Sequence, residues 1–275
     1  MSSETRRYIH RQLRVGAHFT YQQGLERLGC FRVPKDSRID LATIDDHLLD
    51  GLDFCRKVYD LFDQICREPE GKSRLRLRKT KAHKRLVEEL LPLARYVQAR
   101  YQAGRRIKVR WLSGSQSYDA VLWSSGSLVE HGDAPRRVFV EITRSVHRND
   151  SDSRRLLDQR GSSFGVRGIH RERKDIVSEP YVFSGGENAK DLAELILTSL
   201  NLKANKAYPT STVLVVDCVP TISLLFEDEW KDAIEQVRLA KPSIPFREVF
   251  LLDMQAATHT ATFYGDRQPP ARRKR

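Results

Sequence analysis

The sequence predicts an α/β protein with a mixed central sheet flanked by helices, and three observations lead there. Short apolar runs rich in β-branched and aromatic residues recur at 107–111, 118–123, 138–143, 212–218 and 248–254, each bounded by turn residues. Between them, 81–101, 188–207 and 228–239 carry apolar residues at steps of three and four, the spacing of one helix face. The run Thr-Val-Leu-Val-Val-Asp-Cys at 212–218 is apolar on both alternating faces, as expected of a strand covered from both sides.

Composition narrows the class. A chain of 275 residues with 40% hydrophobic content can bury an ordinary core. Lys and Arg outnumber Asp and Glu by 48 to 36, giving a net charge of +12, which favours a polyanionic partner, most simply nucleic acid. The excess is uneven: 67–110 holds 15 Lys or Arg and 4 acids, whereas 217–253 holds 4 and 8. The plainer reading of any one basic residue is a solvated helix face. Cys30, Cys55, Cys66 and Cys218 form no C-x-x-C pair, so reduced thiols are expected rather than a zinc site or a disulfide framework. No apolar run approaches the roughly 18 residues of a membrane span, and the first residues lack a signal-type apolar region, so the expected location is cytoplasmic.

Taken in order, residues 1–78 read as a helical N-terminal region and a docking surface for a protein partner. Within it 44–66 is a helix with Leu48, Leu52, Cys55, Tyr59 and Phe62 on one stripe, capped by Asp40 or Thr43 and ended by Pro69 and Gly71. Residues 67–81 alternate Lys or Arg with Leu75 and Leu77, as a short exposed strand or an extended arm. An α/β domain over 79–255 follows. Its first helix, 81–101, puts Leu86, Leu90, Leu93 and Val97 on its apolar stripe, Glu89 at the border and Glu88 in solvent; Pro92 is expected to kink it. Strand 107–111 alternates apolar residues with Lys108 and Arg110.

The next two strands hold the chemistry. Asp119 opens one and Glu141 sits within the other, with a turn-rich loop between, so both carboxylates are expected at one site. A strand acid among apolar neighbours needs a partner: an arginine, or a divalent metal such as Mg2+ (or Mn2+) with both acids as ligands. Residues 144–174 are irregular and basic apart from a helix at 151–160, and Arg144, Arg148, Arg154 and Arg155 are candidate nucleic-acid contacts; a plain surface loop stays open. Helix 188–207 turns Leu192, Leu195, Ile196, Ser199 and Leu202 inward and ends with Lys203 and Lys206, whose charges suit a helix C-terminus. Tyr208-Pro209 breaks it, and a basic tail over 256–275, expected to be disordered at its end, is a candidate for a further phosphate contact.

The order of elements, with Glu89 on the first helix, Asp119 at the start of the second strand and Glu141-Ile142-Thr143 in the third, resembles the PD-(D/E)xK nuclease superfamily, whose fold is restriction-endonuclease-like. The resemblance implies that Asp119 and Glu141 are catalytic acids holding magnesium, that Glu89 is an accessory catalytic acid, and that the chain hydrolyses DNA phosphodiester bonds. The family places a lysine two residues after the second acid; here that residue is Thr143. Lys203 or Lys206 is then the candidate to replace it from a helix. Arg144 is adjacent but faces the other side of its strand. The alternative is a catalytically inactive, nuclease-like module for nucleic-acid binding or assembly. A Ser/His hydrolase and a phosphate-loop protein are disfavoured, because neither G-x-S-x-G nor G-x-x-x-x-G-K-[ST] occurs.

Overall fold

In the computed structural model, which describes residues 39–265 apart from 174, 185, 222–224, 241 and 243, the apolar runs become a seven-stranded mixed sheet. Its strands are β1 (Leu49–Asp50), β2 (Arg106–Trp111), β3 (Ala120–Ser125), β4 (Arg137–Ser145), β7 (Thr212–Cys218), β8 (Glu248–Asp253) and β9 (Ala256–Tyr264), in the order β1-β2-β3-β4-β7-β8-β9. A separate hairpin pairs β5 (Ile169–Glu172) with β6 (Asp175–Ser178). β2, β3 and β4 form an antiparallel meander, whereas β4, β7 and β8 run parallel. Parallel neighbours need a crossover, supplied here by helices.

The helices are α1 (Gly51–Arg67), α2 (Gly71–Leu77), α3, α4 (Ser127–Glu130), α5 (Asp150–Arg160), α6 (Glu187–Ala204) and α7 (Glu227–Leu239). α3 comprises Lys81–Arg85, a π-helical stretch Leu86–Leu90, and Leu91–Arg100. The π stretch answers the Pro92 problem: the Leu91 N–H reaches back to the Leu86 carbonyl, so the missing proline N–H falls where the ladder changes spacing. Leu86, Leu90, Leu93 and Val97 are all buried, as their spacing predicts.

Side-chain alternation splits the sheet between two cores. Ile107, Val109, Trp111, Leu122, Val140, Ile142 and Val215 pack with α1 and α3. Leu214, Val216, Cys218 and Leu251 pack on the opposite face with α6 and α7. Both faces of β7 are thus covered, which accounts for its uninterrupted apolar run. Gly51 lets α1 start against the sheet, since a Cβ there would lie 3.0 Å from the Ile107 carbonyl oxygen.

Several expectations need correction. The helix predicted at 44–66 begins at Gly51, capped by the Asp50 side chain accepting from Leu52 N at 2.9 Å. Asp40 instead accepts from Ala42 N in the preceding turn. The later start rotates the stripe: Phe54, Cys55, Val58 and Ile65 are buried, while Leu48 and Leu52 are 54% and 51% exposed. The segment expected to be extended at 67–81 contains α2, because Leu75 finds a place in the core and Arg78 closes the helix in a left-handed conformation. Glu88 is not solvated but pairs with Arg78 and Arg144. Leu202, predicted inward, is 65% exposed, because α6 ends two residues later beyond the sheet. Residues 256–264, predicted as the start of the tail, form β9 on the sheet edge. The hairpin β5–β6 falls in the segment read as irregular. Residues 1–38, including Cys30, and the tail from 266 lie outside the described residues.

Candidate functional site

The site grows from a mismatch in strand length. β3 pairs with β4 from Trp123↔Arg137 to Ala120↔Val140, but β4 continues to Ser145, bonded over that stretch only to β7. The ladder therefore opens at Ile142. Asp119, the residue before β3, closes the gap: its N–H donates to the Val140 carbonyl at 2.8 Å, and its Oδ2 accepts the Ile142 N–H at 2.7 Å. A side chain thus replaces the next ladder bond, leaving the other carboxylate oxygen outside this contact.

Alternation puts Asp119 on the same face as Glu141, the α6 face, because Ala120, Leu122, Val140 and Ile142 point into the other core. From α6, Lys203 Nζ forms an ion pair with Glu141 Oε1, although the lysine stands 62 residues away in sequence. The Tyr208 hydroxyl donates to the same oxygen at 3.4 Å, and its ring packs on Phe246 at 5.1 Å. The structure therefore brings together Asp119, Glu141 and Lys203, three of the four catalytic residues expected from the sequence, and adds Tyr208, whose only visible sequence signal is that of a helix breaker beside Pro209. Thr143 lies on this face, one pleat beyond Glu141 and opposite Val216 on β7.

The electrostatics are those of two acids sharing a low-polarity setting. Burial pushes the Asp119 carboxyl from 3.8 to about 7, helped by the Glu141 charge and more weakly by Glu89; the Ile142 N–H and Lys203 oppose the rise. Glu89, on the π-helical stretch of α3, is raised by burial, with Arg85 and the Trp111 indole opposing. Burial also raises the Tyr208 phenol, and the Glu141 charge adds to it, so Tyr208 stays a neutral donor.

The predicted basic contacts divide. Arg144 is a correction: its Nε donates to Asp217 Oδ2 at 2.8 Å and its Nη1 to Glu88 Oε1 at 3.2 Å, with Asp150 at 3.8 Å. Opposite Asp217 in register and pointing away from Glu141, it is committed to a partly buried ionic cluster rather than offered to a ligand. Arg148, Arg155 and Lys206 are exposed. Arg154 and Arg155 line, with Arg160, a cleft of about 610 Å³ between α5, Leu77 and β6. Arg154 is partly neutralised by Asp150 at 3.1 Å.

Among the described residues, no group of three or more His, Cys, Asp or Glu is placed to hold a metal ion, and no helix is long and apolar enough to cross a membrane. Comparison of the chain with known protein families, characterised proteins and solved structures gives no match.

Proposed function

We propose that the chain is a divalent-metal-dependent nuclease hydrolysing DNA phosphodiester bonds on a restriction-endonuclease-like core. One observation carries the reading: Lys203 reaches Glu141 from α6 beside Asp119, at the open edge of β4. That supplies a lysine where Thr143 withholds one. The succession α3, β2–β3–β4 meander, α6 and parallel β7 supports the same reading.

The residues fit magnesium, which keeps several waters and is commonly bound through one or two carboxylates plus substrate phosphate, so a closed protein cage is not required. Asp119 and Glu141 would hold it, and a divalent ion there would offset the burial and the Glu141 charge that together raise the Asp119 carboxyl. Bound there, the ion supplies a Lewis acid next to the scissile phosphate. Lys203 then positions the Glu141 carboxylate and offers a cation to the phosphate once that pairing loosens. Glu89 adds negative charge that favours the ion. Arg148, Arg154, Arg155 and Lys206 neutralise backbone phosphates along the approach.

A second reading, a non-catalytic nucleic-acid-binding or assembly module, is favoured by the Lys203–Glu141 pair itself, which satisfies the acid without any ion. Cleavage of linear and circular DNA with magnesium or manganese separates the two. The nuclease reading expects cutting that is lost in Asp119→Ala and Glu141→Ala. Salt-sensitive binding without cutting, alike in wild type and both variants, transfers the function to the binding module.

A further inference from the structure

We infer a second anion site, for a phosphate monoester, at the Val138 end of β4 on the α3 face, whereas Glu141 projects from the α6 face. A cavity of about 450 Å³ opens there between α3 and the first residues of β7 and β8, lined by Arg100, Arg105, Arg247, Glu248, Asp133 and Tyr96. That size suits a small ligand.

Arg105 is the reason to expect an anion. It is only 8% exposed, yet among the described residues its guanidinium makes one hydrogen bond, Nε to Ser124 Oγ at 3.2 Å. A buried guanidinium normally holds a carboxylate, because taking the charge out of water is otherwise unfavourable. Glu248, which lines the same cavity, is already taken by Arg100 at 2.7 Å, and Arg100 also donates to Thr262 Oγ1 at 2.9 Å. Burial accordingly lowers the Arg105 pKa, with Tyr96 and Glu248 compensating only in part. Arg247 forms no ion pair among the described residues and completes the lining. Three guanidiniums and two carboxylates line the cavity, a net positive set. Planar guanidiniums bind phosphate through paired N–H groups, and a monoester offers three terminal oxygens to the several guanidiniums around this cavity where a carboxylate offers two.

Thermal shift and titration calorimetry on the full chain test this, with inorganic phosphate as probe against chloride at equal ionic strength. Wild type is expected to gain several degrees at about 20 mM phosphate, as any ligand that binds only the folded state requires. Arg105→Met and Arg247→Ala are each expected to weaken phosphate binding about tenfold or more. Arg56→Ala, an exposed charge on α1 that lines neither cavity, should leave it unchanged. Arg105→Met should also melt higher than wild type in chloride, since it removes an unpaired buried charge; should it fail to fold, Arg247→Ala, which is not buried, carries the test. A 5′-phosphorylated oligonucleotide binding more tightly than its unphosphorylated twin would assign the monoester to a nucleic-acid end, and equal binding of adenosine monophosphate and inorganic phosphate would assign it to a small molecule. No gain in wild type, or equal gains in wild type and both variants, overturns the site.

Discussion

Replacing Asp119 by Asn should stabilise the protein, and by an amount that grows with pH. In the unfolded chain Asp119 ionises near 3.9. In the folded protein, largely buried and facing Glu141 and Glu89 with only the Ile142 N–H and Lys203 in its favour, it does so at about 7. Between those values the folded state holds a proton that the unfolded state has released. Stability therefore falls as pH rises through the window, and the whole cost is present above the folded value. A rise from 3.8 to about 7 corresponds to at most about 4 kcal/mol, and roughly half of that is a realistic expectation for a carboxyl that is not fully buried. Asn keeps an oxygen to accept the Ile142 N–H but has no proton to lose. For a domain of this size about 1 kcal/mol shifts Tm by roughly 2–4 °C, so the variant should melt about 4–8 °C above wild type at pH 8. Near pH 4 the two should coincide. Differential scanning calorimetry of both proteins from pH 4 to 8 measures the difference, in which other titrating groups cancel. A Tm difference independent of pH, or a less stable variant at pH 8, refutes the claim that Asp119 is held at a cost. Magnesium should act in the opposite sense, raising the wild-type Tm at pH 8 and barely moving the variant.

Other outcomes follow from neighbouring contacts. Lys203→Ala should lower stability by about 1–3 kcal/mol, because Glu141 and Asp119 lose their cation; a Tm unchanged in chemical or thermal denaturation would show that the pair contributes nothing. Arg144→Ala should cost about 3–5 kcal/mol by stranding Asp217, with the salt dependence of DNA binding unaltered. Arg155→Ala should do the reverse, leaving Tm within about 1 °C and reducing the slope of log K against log salt by about one, measured by fluorescence anisotropy. Leu122→Ala, in the buried centre of β3, should cost about 2–5 kcal/mol in urea unfolding.

Much of the sheet could be read from the sequence because it rests on local, periodic signals. β2 alternates buried and exposed residues, and β7 is apolar throughout, so period and composition suffice. Helix α3 was readable for the same reason, including Glu89 at its border. The misreadings fell where a distant partner overrides local pattern. Leu48 and Leu52 continue the stripe of α1 in sequence, yet Asp50 caps the helix between them and leaves both in water. Arg78 and Arg144 look like free cations in a basic chain but neutralise Glu88, and Arg144 also reaches Asp217 and Asp150. Arg105, one of many arginines in the sequence, is distinguished only by its burial.

The sequence by itself determined the α/β class, the strand that is covered on both faces, and the placing of Asp119 at the mouth of β3 beside Glu141 in the neighbouring β4, since alternation and helical period are properties of a few consecutive residues. Only the tertiary structure decided that Lys203 meets Glu141, that Tyr208 joins it, and that Arg144 is withdrawn into an ionic cluster. Those pairings depend on the parallel crossover through α6 and on the unequal lengths of β3 and β4. Such contacts join residues 62 to 73 positions apart, and no local rule encodes the distance between them once the chain is packed.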